Sequence, residues 1–301
     1  MGQAESPGVV PDHPHPHVTN TSRDWLLEVC VETVEDALIA SRHGADRLEL
    51  CCGLETGGLT PSRGQLRETR AAVGPNLPIM VLVRPRSGDF VWSRSETAVM
   101  LFDLETLLAE GANGAVVGGL RPDGSIDREH ARVVRRAIGT ERQAVFHRAF
   151  DHVVEGTEPL ATGHDPSLEE LIEIGYDRVL TSGREATAER GIAKLARWVS
   201  QSRGRLEILA GGGIGPANLA AIVRQSGCRQ VHASLRGRAE PVSSIRASQV
   251  GRVPLAIEED DPARWVRRRV DPQAVACCRA ILDQCAREVR ESATESVGNP
   301  R

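Results

Sequence analysis

The chain has 301 residues, of which 40% are hydrophobic and 26% are charged, and its formal net charge at pH 7 is −4. This composition is typical of a globular protein that is long enough to bury a sizeable core. The small negative charge gives no basis for binding nucleic acid or an anionic membrane surface, and no apolar run approaches the roughly 20 residues that cross a bilayer.

Residues 1–24 are rich in Pro, His, Gly, Ser and Thr without periodicity, and we expect a disordered arm there. From residue 25 onward, β-rich runs alternate with amphipathic helical runs. Eight runs have the character of strands: Leu26–Val31, Arg47–Cys52, Ile79–Arg84, Gly114–Leu120, Gln143–Arg148, Arg178–Gly183, Leu206–Ile214 and Gln230–Leu235.

Helical patterns separate these strands, and glycine lies just past several of their ends, as is common at helix C-termini. Strand starts recur every 21 to 35 residues. Eight regular β–α units predict a single (β/α)8 TIM barrel over residues 25–292, with a doubly wound sheet as the alternative. The predicted helices are Glu32–His43, Ser95–Glu110, Arg128–Ile138, Leu168–Ile174, Ala186–Ser202 and Pro216–Gln225.

Residues 236–271 interrupt this alternation with polar, arginine-rich sequence. We expect a long loop here, followed by a last helix at Gln273–Glu291 and a disordered tail over 293–301. Long loops inside a compact domain are usually functional or mobile.

The seven cysteines are an odd number, and residues 1–17 lack a basic start followed by an apolar stretch. We therefore expect no secretory signal and reduced thiols rather than a disulfide framework. Both expectations favour a cytoplasmic protein.

The first two strands repeat the pattern Glu-x-Cys on the face predicted to point into the barrel. Glu28 and Cys30 lie on the first strand, and Glu49 and Cys51 lie on the second, at a constant offset of 21 residues. If the strands pair at that offset, two carboxylates stack below two thiols on strands about 4.8 Å apart. Arg47 also points inward on the second strand.

Polar and charged side chains gather where the strands end. Arg84 and Arg86 lie at the end of the third strand, His147 and Asp151 lie at the end of the fifth, and His232 lies on the eighth. The C-terminal face of such a barrel is where functional sites are built. The structural alternative is an ion-pair network that only fills the barrel.

The seventh strand ends in Gly211, Gly212 and Gly213, and a helix is expected to begin at Pro216. Backbone amides exposed by glycines at a helix N-terminus can hold a phosphate, and barrels often bind phosphate after strands seven and eight. Glycines also permit a tight turn without any ligand, so both interpretations stand.

Six ordered motifs resemble the CutC family of copper-homeostasis proteins, from about Leu26 to Leu235. The resemblance implies a cytoplasmic TIM barrel, a homo-oligomer, and copper held by thiols at the positions of Cys30 and Cys51; paired thiolates suit Cu(I). The motifs are LEVCVET, GADRLELCCGLETGGLTPS, VRPRSGDF, FHRAFD, RVLTSG and GGGI.

Two functional hypotheses follow. In the first, Cys30 and Cys51 hold Cu(I), with Glu28, Glu49 and His232 as further candidate ligands and no catalytic turnover. This copper-binding hypothesis rests on the two Glu-x-Cys strands and on the resemblance.

In the second, the protein is an enzyme of unassigned reaction on a small phosphorylated or carboxylated substrate, whose anion would be bound by Arg84, Arg86 and residues 211–213. The candidate catalytic residues are Glu28, Glu49, His147 and Asp151.

Overall fold

The computed structural model describes residues 25–154, 164–237 and 268–297, and within them strands and helices alternate in chain order. Strands β1 to β8 are Leu26–Val31, Arg47–Leu50, Ile79–Leu82, Gly114–Val117, Gln143–Phe146, Arg178–Thr181, Glu207–Gly211 and Gln230–Ala233. Helices α1 to α8 are Val34–Arg42, Arg63–Val73, Arg94–Ala109, Arg128–Ile138, Pro166–Ile174, Ile192–Ser202, Leu219–Ser226 and Pro272–Val297.

Each strand pairs in parallel with the next, and β1 also pairs with β8, so the sheet closes on itself. The predicted (β/α)8 barrel is therefore confirmed, and the open doubly wound alternative is wrong. All eight predicted strands are present within the described residues, each beginning within one residue of its expected start.

Strand residues alternate between two apolar layers, because successive side chains of a strand point to opposite sides. Leu27, Val29 and Val31 of β1 belong to the large core between the barrel and its helices. A smaller core fills the barrel and consists of Cys30, Cys51, Met80, Leu82, Val116, Val145, Leu180 and Leu209. The inward direction of Cys30 and Cys51 is thus as predicted.

Helix α2 has no counterpart among the predicted helices, because only Leu66 and Thr69 of its eleven residues are buried. Its N-terminus nevertheless carries a capping box. The Ser62 side chain accepts from the Gln65 backbone N–H, and the Gln65 side chain accepts from the Ser62 backbone N–H.

Three helices begin later than the apolar pattern predicts, and the first of them, α1, begins at Val34 rather than Glu32. Helix α6 begins at Ile192 rather than Ala186, and Gly191, just before it, packs closely against the backbone of Ser182 and Gly183. A Cβ on Gly191 would lie 1.9 Å from the carbonyl oxygen of Ser182. Helix α7 begins at Leu219 rather than Pro216.

Helix α8 packs against the outside of the barrel, where Val275, Cys278 and Leu282 belong to the large core. Arg279 of this helix donates to the Trp25 carbonyl oxygen over 3.1 Å and forms an ion pair with Asp46. The Asp46 carboxylate also accepts from the Leu27 backbone N–H over 2.8 Å. The helix thereby joins the starts of β1 and β2.

The expected arm 1–24 and residues 238–267 of the expected loop lie outside the described residues, as do residues 298–301. The ends of that loop meet in an antiparallel bridge between Arg236 and Val270. Helix α8 continues to Val297, beyond its expected end at Glu291. None of the described helices combines the length and the apolar character that a membrane crossing requires.

Candidate functional site

The register of β1 and β2 differs from the expected one by two residues. Glu28 lies opposite Arg47, and Cys30 lies opposite Glu49, an offset of 19 instead of 21. The expected stack of two carboxylates below two thiols is therefore wrong, because neighbouring strands of a closed barrel are staggered. The stagger places Cys51 one step nearer the mouth than Cys30.

The floor of the barrel is a layer of buried polar side chains that bind one another. Glu28 forms an ion pair with Arg47, and these side chains are 0% and 1% exposed. Arg47 donates to Gln230 over 3.2 Å, and Arg178 donates to Gln230 over 2.8 Å and to Gln143 over 2.7 Å. Burial lowers the pKa of Arg178 to about 9. This layer realises part of the expected ion-pair network.

Above the floor, four side chains converge between β1, β2 and β8. The sulfur atoms of Cys30 and Cys51 are 3.5 Å apart, and Cys30 Sγ lies 3.7 Å from Glu49 Oε1. His232 Nδ1 lies 3.8 Å from Glu49 Oε2. One ligand atom each from Cys30, Glu49 and His232 lie within 4.8 Å of one another. This spacing allows one ion to reach all three residues.

Glu28 joins the floor to this cluster, because its carboxylate also contacts His232 Nδ1 at 2.7 Å. Burial alone would raise the pKa of Glu28, but the Arg47 charge and the His232 hydrogen bond lower it to about 2. Glu28 is thus an ionised carboxylate that fixes the orientation of the His232 ring.

Glu49, His232 and Cys30 also have shifted pKa values. Burial raises the pKa of Glu49 to about 6, although the His232 charge opposes the shift. Burial alone would lower the pKa of His232, but the carboxylates of Glu49 and Glu28 hold it well above its usual range. The hydrogen bond with Cys51, together with burial, raises the pKa of the Cys30 thiol.

Cys30, Glu49 and His232 of this cluster line a cavity of about 660 Å³ at the C-terminal mouth of the barrel. Arg84 and His147 lie in its wall, so the structure brings both predicted rim residues to the same space as the thiol cluster. The wall also includes Phe90, Arg148 and His152. A cavity of this size is typical of small-molecule sites.

Asp151 does not line this cavity. Its carboxylate accepts from Thr181 Oγ1, from the backbone N–H groups of Ser182 and Arg184, and from Arg148 Nε. The side chain therefore holds the loops after β5 and β6 together.

Arg86 is likewise engaged outside the cavity. It forms ion pairs with Asp89 at 2.9 Å and with Glu96 at 2.5 Å, and it stacks on Trp92. The anion-binding hypothesis placed Arg84 and Arg86 in one site, but of the two only Arg84 lines the mouth cavity, and Arg86 is already paired with carboxylates.

The three glycines after β7 are also separated from Arg84. Gly213 lines a second cavity of about 400 Å³, together with Asn218 and Arg236, whereas Gly211 and Gly212 line neither cavity. A Cβ on Gly211 would lie 2.5 Å from Leu180 Cδ1, so packing against Leu180 favours a glycine there without any ligand.

Several residues of the site were missed by sequence reasoning. Arg178, Gln143 and Gln230 are each the first residue of a strand. A polar residue at the start of an apolar strand was the available signal. It does not show which residues pair, because these three side chains come from different strands, β5, β6 and β8. Phe90 ends the motif VRPRSGDF, where an aromatic residue next to arginines could have indicated stacking.

Comparison with known proteins identifies the family. The model of the CutC family matches residues 25–237. A human copper homeostasis protein cutC homolog is 41% identical over 228 residues, which cover 75% of this chain and 79% of that protein. A family protein CutC of Treponema denticola is 40% identical over 223 residues, covering 74% and 86% of the two chains.

The solved structures agree. A CutC protein of Streptococcus agalactiae superimposes with a TM-score of 0.64 at 28% identity, covering 70% of this chain and 98% of that chain. Thiamine phosphate pyrophosphorylase from Pyrococcus furiosus shares the barrel fold, with a TM-score of 0.51 at 14% identity over 87% of this chain and 97% of that chain. The resemblance expected from the six motifs is thus confirmed, and the chain belongs to the CutC family.

Proposed function

We propose that this protein binds Cu(I) as cargo in the cytoplasm, through the thiols of Cys30 and Cys51 with Glu49 and His232 as supporting ligands. The observation that carries the proposal is the convergence of Cys30, Glu49 and His232, with the Cys51 sulfur 3.5 Å from that of Cys30. Within this group the buried Glu49 Oε2 has no hydrogen-bond partner among the described residues. Buried polar atoms are normally hydrogen-bonded. A ligand that binds an unpaired one therefore removes the free-energy cost of leaving it without a partner.

The donor chemistry fits a soft ion. Two sulfur atoms and an imidazole favour Cu(I) or Zn²⁺ over hard ions such as Mg²⁺ and Ca²⁺. The family name of the human relative, copper homeostasis protein, supports copper among these ions. Glu28 would support the site without contacting the ion, because its carboxylate contacts Nδ1 of His232 and fixes the orientation of that ring.

The test is an anaerobic titration with Cu(I) against a chromophoric competitor. We expect stoichiometric binding by the full chain and its loss in the Cys30→Ser, Cys51→Ser double variant. The matched control is Cys52→Ser, Cys277→Ser, which also removes two thiols but leaves the cluster intact. Circular dichroism verifies that both variants fold.

Two results would refute this proposal. The first is a Cys30→Ser, Cys51→Ser variant that binds Cu(I) as tightly as the wild type. The second is tight Zn²⁺ binding without Cu(I) binding in the same competition format, which would replace copper by zinc.

A second function is favoured by the cavity volume. About 660 Å³ at the barrel mouth is far more than one metal ion fills, since a water molecule occupies about 30 Å³ of liquid. We propose, as the alternative, an enzyme that acts on a small anionic substrate bound beside Arg84. A screen in which no anion protects the fold against heat would count against it.

The resemblance also implies assembly into a homo-oligomer, which we propose for this chain. Light scattering coupled to size-exclusion chromatography measures the mass directly, and a monomer at all tested concentrations would exclude the assembly.

A further inference from the structure

Two residues that line the mouth cavity each carry a buried nitrogen atom that lacks a partner. These atoms are Nε2 of His147 and Nε of Arg84, and neither has a hydrogen-bond partner among the described residues. The two residues are only 5% and 6% exposed. Buried donors without acceptors are costly, so each such group in a folded protein requires an explanation.

The hydrogen bonds of His147 define its tautomer. Its Nδ1 accepts from the Ala149 backbone N–H over 3.1 Å, so the ring proton lies on Nε2. Burial lowers the pKa of His147 to about 3, and the Arg84 charge contributes to this shift. His147 is therefore a neutral donor in the cavity wall, and it is not available as a general base through Nε2.

Arg84 contributes a fixed positive charge at the same place. Its guanidinium donates to the carbonyl oxygens of Thr56, Gly58 and Gly88, and none of the described carboxylates pairs with it. These three bonds hold the group rigidly while leaving its charge uncompensated. By contrast, the charge of Arg148, also in the cavity wall, is paired with Asp151 at 2.8 Å.

Phe90 connects the two donors. The Arg84 guanidinium lies 5.0 Å from the centre of the Phe90 ring, and the His147 ring centre also lies 5.0 Å from it. The cavity wall continues with Leu82 and Leu180. The cavity could therefore bind one ligand through an ionic group beside Arg84 and an apolar group beside Phe90.

We propose that the mouth of the barrel holds a subsite for an organic monocarboxylate, whose oxygens accept from His147 Nε2 and Arg84 Nε while its apolar part lies along Phe90. One fixed charge and one neutral donor match a singly charged carboxylate better than a doubly charged phosphate. The inference deepens the second candidate function, the anionic ligand. It does not depend on copper.

The experiment uses the full chain with Cys30→Ser and Cys51→Ser, labelled with ¹⁵N-histidine and free of copper. The probes are acetate, pyruvate, benzoate and phenylacetate, each up to about 10 mM, because a weak fragment binds with a Kd of about 1 mM. We expect at least one probe to shift the Nε2–H resonance of His147 in a saturable manner. Inorganic phosphate is the comparison anion.

Variants of the two donors separate recognition from folding. Arg84→Met should weaken binding of the active probe by about 10-fold or more, since a hydrogen bond to a charged group is lost. Arg86→Met is the matched control and should leave binding unchanged. If Arg84→Met does not fold, His147→Leu should still lose binding, while His147→Gln, which keeps a donor near Nε2, should retain more of it.

Three outcomes would overturn the inference. They are no shift of the His147 resonance with any of the four carboxylates, a shift with phosphate alone, or carboxylate binding that survives both Arg84→Met and His147→Leu. Because the variant lacks Cys30 and Cys51, the result of the carboxylate experiment is independent of the result of the copper titration.

Discussion

The buried ion pair at the barrel floor gives the sharpest test of how this interior is stabilised. Arg47→Met would leave the Glu28 carboxylate, which is 0% exposed, with His232 as its remaining partner. Removing one member of a buried pair costs about 3–5 kcal/mol, because the other charge stays in a medium that solvates it poorly. With an m-value of about 3 kcal/mol/M for urea, the unfolding midpoint should fall by about 1 to 2 M.

Two companion variants decide whether this reasoning is correct. Glu28→Gln combined with Arg47→Met removes both charges and should be more stable than Arg47→Met alone. Arg128→Met breaks the exposed pair with Glu173 and should cost no more than about 1 kcal/mol. The argument fails if Arg47→Met costs less than this surface variant, or if the double variant is no better than the single one.

Three further predictions concern packing, pH and metal binding. Gly114→Ala should destabilise the fold by more than about 3 kcal/mol in urea melts, because a Cβ would lie 2.1 Å from the backbone oxygen of Gln143. The control is Gly64→Ala, which lies in open surroundings on α2 and should be neutral or stabilising. The folded-state pKa of His147, about 3 instead of 6.5, means that only the unfolded chain takes up this proton between those values. Stability should therefore be complete above pH 6.5 and fall on acidification by up to about 1.4 kcal/mol per pH unit, with a shallower slope in His147→Gln; equal slopes would contradict the buried neutral ring. Glu28→Gln should lower Cu(I) affinity by about 10–100-fold in the competition titration, as loss of a ligand's orienting partner does elsewhere, and unchanged affinity would remove Glu28 from the site.

The barrel could be predicted because each strand carries its own signal. The run of apolar residues in β1 and the alternation of Glu28 and Cys30 with valines define both the strand and its inward face. Helix α2 gave a weaker signal, since it buries little apolar surface. The capping box from Ser62 to Gln65 could have revealed it.

The relative placement of residues from different strands could not be predicted in the same way. The motif offset of 21 between Cys30 and Cys51 suggested a level pair, but the barrel pairs Cys30 with Glu49. The stagger is a property of the closed sheet and cannot be inferred from the sequence of a single strand. Arg84 and Arg86 were predicted to share one site because both follow the third strand, but of the two only Arg84 lines the mouth cavity.

This stagger divides the barrel interior into two chemically different layers. At an offset of 21, Glu28 and Glu49 would lie side by side as like charges, and neither would face an arginine on the neighbouring strand. At an offset of 19, Glu28 faces Arg47 in a paired floor, and Glu49 is raised to the level of Cys30. The unpaired buried atoms Glu49 Oε2, His147 Nε2 and Arg84 Nε all belong to residues above that floor that line the mouth cavity. The other buried side-chain atoms without a partner among the described residues, on Thr69, His130, Arg236 and Arg279, belong to residues that do not line this cavity. One ligand in the mouth could pair with several of the three atoms at once, which is why we propose the function there.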